Sequence, residues 1–164
     1  TPEAAEAIAE AFAEWLCRRT GKSPLRIAVG HDSRISAPAL SESVLKGIER
    51  TGNVAIFTHL SSTPSMFMLL KDERWSADGS VMITASHLPF NRNGLKFFTA
   101  EGGLESEDIK EILTLASEAP FPEKAGGSRI EKPYLDAYAQ DLVEKVRRAT
   151  GEAQPGPLMF VLRS

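Results

Sequence analysis

Cysteine occurs once in this sequence, at position 17, and histidine three times, in a chain of 164 residues whose formal net charge is only −3. A lone Cys17 has no partner for an internal disulfide, which suits a reducing compartment and leaves the thiol as a small apolar side chain on a helix. The near balance of charge gives no electrostatic ground for nucleic acid or an anionic membrane surface as partner. No apolar run approaches the roughly 20 residues that a bilayer-spanning helix needs. Neither G-x-G-x-x-G nor G-x-x-x-x-G-K-[ST] occurs, which argues against nicotinamide and P-loop chemistry. C-x-x-C, H-E-x-x-H and His pairs at ligand spacing are missing too, so the chain carries no recognisable metal site of its own. What is present is ordinary for a globular protein. Hydrophobic residues at 42% and charged residues at 25% suffice for one packed domain, with the beginning of another. The sequence opens at Thr1 rather than Met and shows no signal-peptide pattern, so a processed or truncated start is expected.

Along the chain, apolar periods of 3.6 and short β-prone runs alternate. Thr1 and Pro2 open a helix with the stripe Ile8, Phe12, Trp15 and Leu16, closed near Gly21. Residues 25–30 read as the first strand and run into the polar loop His31-Asp32-Ser33-Arg34-Ile35. Ser36 and Pro38 open a helix that ends at Gly52, and residues 54–57 are the second strand. A short helix from Pro64 to about Lys71 carries Met66, Met68, Leu69 and Leu70, read as core rather than a cofactor surface. Residues 81–84 and 95–98 are strands three and four, and Ser106-Glu107-Asp108 caps the next helix. Residues 119–129 read as a linker or a long surface loop, and Pro133 begins an amphipathic helix carrying Leu135, Tyr138, Leu142, Val143 and Val146. The expected fold is α/β: helices layered around a mixed, mostly parallel sheet of about four strands, with strands three and four antiparallel. Residues 1–150 would form this domain. Residues 151–164 would hold a linker and Leu158–Leu162 as the first strand of a second domain. In such a sheet the loops at strand C-termini converge, which predicts that 31–36, 59–64 and 85–93 lie together.

The chemistry concentrates in residues 80–98. The apolar run ends in Ala85-Ser86-His87-Leu88-Pro89, turns at Asn93-Gly94 and returns with Lys96 on the next strand. Ser86 beside His87 invites a hydrolase reading, but neighbours in an extended chain point opposite ways and G-x-S-x-G is absent. A loop serine that accepts and donates a phosphoryl group fits better, with Arg34 and Lys96 as the cations that compensate it. A phosphoserine adds a charge of about −1.5 to −2, which demands such compensation.

Thr84-Ala85-Ser86-His87-x-Pro89 followed by Asn93-Gly94-x-Lys96 closely resembles the phosphoserine loop of the α-D-phosphohexomutases, which include phosphoglucomutase and phosphomannomutase. Gly30-His31-Asp32-Ser33-Arg34 resembles the family's upstream G-x-D-x-R segment, and the likeness covers roughly residues 25–118 by motif order. The resemblance implies that Ser86 carries the phosphate, gives it to a hexose monophosphate and takes back the other phosphate of the bisphosphate. Phosphate thus moves between the sugar's C1 and C6 oxygens. It further implies catalytic roles for Ser86, His87 and Lys96, phosphate or substrate contacts for Arg34 and Asn93, and Mg²⁺ reached through the Ser86 phosphate. A hexose 1,6-bisphosphate would serve as intermediate and activator, and the partners would be the hexose phosphate and the remaining mutase domains. The Thr84-Ala85 pair resembles glucose and mannose mutases more than glucosamine mutases.

Three departures qualify the likeness. Leu88 stands where the family commonly has Asn, a variant that resembles plant and algal relatives; the expected compartment is the cytoplasm, or the plastid stroma in a plant or alga. The family's T-S-G-x-R-G segment and its D-G-D-x-D-R metal loop are both missing, and the latter belongs to a later domain. The expectation is therefore a first domain that does not turn over substrate alone. The rival reading is a mutase-derived domain serving as a non-catalytic interaction or structural module.

Overall fold

Two β-prone runs, Arg26–His31 (β1) and Val54–Leu60 (β2), pair in parallel at the centre of the molecule, with β1 also parallel to Gly79–Ile83 (β3). Parallel neighbours need crossover helices. Ala37–Arg50 (α2) and Thr63–Leu69 (α3) supply them, following Pro2–Thr20 (α1) at the start of the chain. The computed structural model describes residues 1–89 and 92–151. Leu95–Thr99 (β4) returns antiparallel to β3, and the two-residue Gly102–Gly103 (β5) continues that edge. Ser106–Ala116 (α4), Ser128–Glu131 (β6) and Leu135–Thr150 (α5) complete the described chain. The sheet order is β5-β4-β3-β1-β2-β6, mixed and mostly parallel as expected.

Helices cover both faces of the sheet. Side-chain alternation along β1 sends Ile27 and Val29 to a core shared with Phe12, Leu16, Val44, Ile48 and Ile112, from α1, α2 and α4. Ala28 faces the other way, to Met66 and Leu69 of α3 and to Trp75, Met82 and Tyr134. Met66 and Leu69 are thus core residues, as their sequence setting suggested. Cys17 is half-buried on α1, and burial pushes its thiol above the ordinary range, which leaves it mainly un-ionised and unreactive.

Among the described residues the sheet has six strands where about four were expected. Of the two readings of residues 119–129, the long surface loop holds for most of the stretch, which is tied to the domain and ends in a strand. Phe121 N donates to Glu10 Oε2 at 2.9 Å, Arg50 Nη2 donates to the Phe121 carbonyl at 3.4 Å, and Ser128 and Arg129 enter β6. β6 pairs in parallel with β2, and Arg129 is fixed to Glu42 and Glu49 of α2. Gly127 makes this approach possible, because a Cβ there would overlap the Glu49 carbonyl. The last helix begins at Leu135, not Pro133, and none of its residues is buried. Its anchor precedes it: Tyr134 is buried edge-on against Trp75, ring centroids 4.7 Å apart, and Trp75 Nε1 donates to the Lys132 carbonyl at 3.1 Å. The strand expected at Leu158–Leu162 lies outside the described residues.

Candidate functional site

The parallel strands β1, β2 and β3 end at one edge, and backbone bonds tie their loops together. Ser61 N donates to the His31 carbonyl at 2.9 Å, and Asp32 N donates to the Ile83 carbonyl at 3.1 Å. The expected convergence of the segments around 31–36, 59–64 and 85–93 is therefore present among the described residues. Gly30 permits part of it: a Cβ there would stand 2.6 Å from Met66 Sδ and 2.7 Å from Ser61 Cβ, so a side chain would push α3 away.

Ser86 stands exposed just past the end of β3 with φ +54°, a left-handed conformation uncommon for a residue other than glycine. Both of its backbone groups are held. Ser86 N donates to Thr84 Oγ1 at 3.0 Å, and the Ser86 carbonyl accepts from Arg34 Nη2 at 2.7 Å. Thr84 Oγ1 in turn donates to Asp32 Oδ2 at 2.8 Å. Asp32 also accepts from Arg34, through Nε to Oδ2 at 2.9 Å and the backbone N to Oδ1 at 3.1 Å. Partial burial works against the Asp32 charge, but the hydrogen bonds from Thr84 and Arg34 and the Arg34 charge outweigh it and hold the carboxyl below its usual range.

Arg34 is the hub of the loop. Besides Asp32 and Ser86, its Nη2 donates to the Leu88 carbonyl at 3.1 Å, and its Nη1 donates to the carbonyls of Pro89 at 2.8 Å and Arg92 at 3.2 Å. The side chain expected to meet phosphate is thus engaged by five acceptors. Asn93 Oδ1 accepts from Ser36 Oγ at 2.8 Å, so Ser36 reaches across to the loop and does not cap α2 with its side chain. His87 is exposed on the loop. Lys96 is exposed on β4 opposite Met82, which places it on the α3 face of the sheet. The structure therefore brings Arg34, Ser86 and, through Ser36, Asn93 together. Among the described residues His87 and Lys96 join no part of this hydrogen-bonded cluster. Sequence reasoning quoted Asp32 and Thr84 within their motifs but gave them no task. Their bond joins residues 52 positions apart, and only the parallel pairing of β1 and β3 brings them together.

Among the described residues no three His, Cys, Asp or Glu side chains stand close enough to hold a metal ion. Asp32, the carboxylate beside the loop, is already engaged by Thr84 and Arg34. The arrangement can present a serine hydroxyl on a rigid loop. No described helix is long and apolar enough to cross a membrane.

Comparison with known proteins gives the chain a family and a fold. The family described as phosphoglucomutase/phosphomannomutase, alpha/beta/alpha domain I, matches residues 1–123. The phosphoglucosamine mutase of Clostridium kluyveri is 34% identical over 160 residues, which are 98% of this chain and 32% of that protein. The phosphoglucosamine mutase of Nautilia profundicola is 36% identical over 113 residues, 69% of this chain and 24% of its own length. In structure, a phosphoglucomutase/phosphomannomutase family protein from Burkholderia thailandensis superposes with a TM-score of 0.73 over 93% of this chain and 32% of its own, at 20% identity, a likeness of fold. The chain spans about a third or less of the length of these relatives. With the loop on the C-terminal edge of a three-layer α/β/α domain and the match running over most of its length, the chain belongs to the phosphoglucomutase/phosphomannomutase family, and residues 1–123 correspond to its domain I.

Proposed function

We propose that this chain is the phosphoserine-bearing part of a phosphohexomutase, with Ser86 the residue that gives and takes the phosphoryl group. The observation that carries the reading is the Ser86 loop itself: an exposed hydroxyl on a left-handed residue at the strand-end edge, fixed from both sides by Arg34 and Thr84. Such a serine is presented to a ligand at little further ordering cost. In the forward half-reaction the Ser86 phosphate P–O bond breaks as a sugar hydroxyl oxygen attacks phosphorus, the hydroxyl proton leaves to a base, and Ser86 Oγ departs. In the return step Ser86 Oγ, giving up its proton, attacks the other phosphate of the bisphosphate; that phosphate's bond to the sugar oxygen breaks, and the sugar oxygen departs as a hydroxyl by taking a proton. His87 and Lys96, both exposed, are the groups of this chain that the reading assigns to the sugar phosphate and its proton. A Mg²⁺ in this reaction would take its protein ligands from elsewhere in the full protein and touch this chain only through the Ser86 phosphate.

For the sugar, Thr84-Ala85 favoured glucose or mannose, whereas the named relatives are phosphoglucosamine mutases. Their overall likeness spans far more positions than two loop residues, so glucosamine phosphate is the first substrate to try. The deciding experiment is phosphopeptide mass spectrometry on the protein from its natural source, with turnover of glucosamine, glucose and mannose 6-phosphates. Phosphate on Ser86 and interconversion of the 1- and 6-phosphates of one sugar are expected. A bare Ser86 and no turnover of any of the three would overturn the reading in favour of a binding module.

A further inference from the structure

Arg34 has five N–H donors, and five acceptors meet them: Asp32 Oδ2 and the carbonyls of Ser86, Leu88, Pro89 and Arg92. Its side chain is largely covered, with 13% exposed. No donor is left over for a phosphate on Ser86. We propose that Arg34, Asp32 and Thr84 are positioning residues that hold the Ser86 backbone in its left-handed conformation, and that Arg34 is not a ligand of the phosphate.

A carboxylate only accepts, so the hydroxyl proton of Thr84 must point at Asp32 Oδ2. That leaves a Thr84 lone pair for Ser86 N, which is the bond found. On the far side, Arg34 Nη2 draws in the Ser86 carbonyl, and the same nitrogen reaches Leu88. With N–H and C=O both fixed, the peptide groups flanking Ser86 cannot rotate back to the extended form that a serine otherwise prefers. The strain is held by a charge-assisted bond from Arg34 on one side and, on the other, by a part-buried bond to Thr84, itself tied to the Asp32 carboxylate. A lysine could supply the same charge but only three donors from one point, so it could not hold carbonyls on both limbs of the loop. The catalytic meaning of the clamp rests on the reading of Ser86 as phosphate carrier; the clamp itself does not.

Amide hydrogen exchange on this chain and steady-state kinetics of the natural full-length protein test the two parts separately. Arg34→Lys and Thr84→Val should each speed exchange of the Ser86 amide by about tenfold or more while amides of β1 and β3 keep their protection, and Thr84→Ser should restore it. In the full-length protein Arg34→Lys should lower kcat by about tenfold or more and leave KM for the sugar phosphate within about twofold. Wild-type exchange at Ser86 in both Arg34→Lys and Thr84→Val would overturn the clamp. A raised KM with kcat intact would overturn it too, by making Arg34 a phosphate ligand. If wild-type Ser86 never takes phosphate, the proposed function fails, while the exchange result still decides whether the clamp exists.

Discussion

Asp32 illustrates how a small polar cluster sets properties at the level of one residue. Its carboxyl is held below the usual range, so the folded state binds that proton less readily than the unfolded chain. The resulting stabilisation is fully present above the ordinary aspartate value and is lost as pH falls through the lower folded value. Asp32→Asn should destabilise the domain by about 1–3 kcal/mol at pH 7, and the gap from wild type should narrow in acid; urea unfolding at pH 7 and pH 3 reads both. Gly30 is a second case. Replacing it with Ala forces Met66 and Ser61 aside and should cost about 1–3 kcal/mol, seen as a lower urea midpoint with an unchanged slope. Much at this scale was legible beforehand. Ser86, His87, Arg34, Asn93 and Lys96 were all named from their motifs, and Ser86 does stand on an exposed loop beside Arg34. What the chain alone did not show is that Arg34 turns inward. A guanidinium's partners here are carbonyls from four other residues, and backbone carbonyls leave no mark in a sequence.

Elements followed the same division. α1 was readable from its stripe and both ends: Thr1 accepts from Ala4 N at 3.3 Å, and Gly21 closes the helix with φ +67°. β6 was not readable, because four residues of mixed polarity behind two glycines carry no alternating pattern, and the strand exists through its ladder with β2 and the Arg129 fork on α2. Gly127→Ala should therefore release that edge, costing about 1–3 kcal/mol in thermal unfolding and exposing residues 128–131 to exchange. α5 shows the opposite mismatch: a regular amphipathic pattern without a buried residue. It is held to the domain by Tyr134 together with the partly buried Ala137 and Tyr138, and the Tyr134 hydroxyl is raised to about 12 by burial and by the nearby Asp72 and Asp141 carboxylates. A raised value means stability present below the ordinary tyrosine value near 10 and lost as pH rises through the folded one. Alkaline titration should thus loosen the fold above about pH 10, and Tyr134→Phe should remove that dependence. Tyr134→Ala should cost about 3–5 kcal/mol in the same unfolding assay.

At the scale of the whole molecule, the strand-end edge leaves three apolar side chains in water. Ile35 is 93% exposed, Leu88 51% and Leu60 47%, one from each of the three converging loops. Isolated domains tend to cover such residues only with further protein. The chain by itself should bind an apolar fluorophore at this edge, and the full-length protein should bind it less. The isolated chain is also expected to show no mutase turnover; robust activity from these residues alone would contradict the reading of a shared site. The layered α/β architecture was foreseeable from alternating patterns, whereas the reach of the chain from α1 to β6, through Glu10, Arg50 and Glu49, depended on ion pairs between distant segments. The Arg34 hub carries one last consequence. Four of its five partners are main-chain carbonyls, atoms that every amino acid possesses. Side chains at 87 and 88 can therefore be exchanged without redirecting the loop, so its course is insulated from drift in its own lettering. Leu88 in place of the family's common asparagine is one such exchange, accommodated because the support was never built on what that position displays.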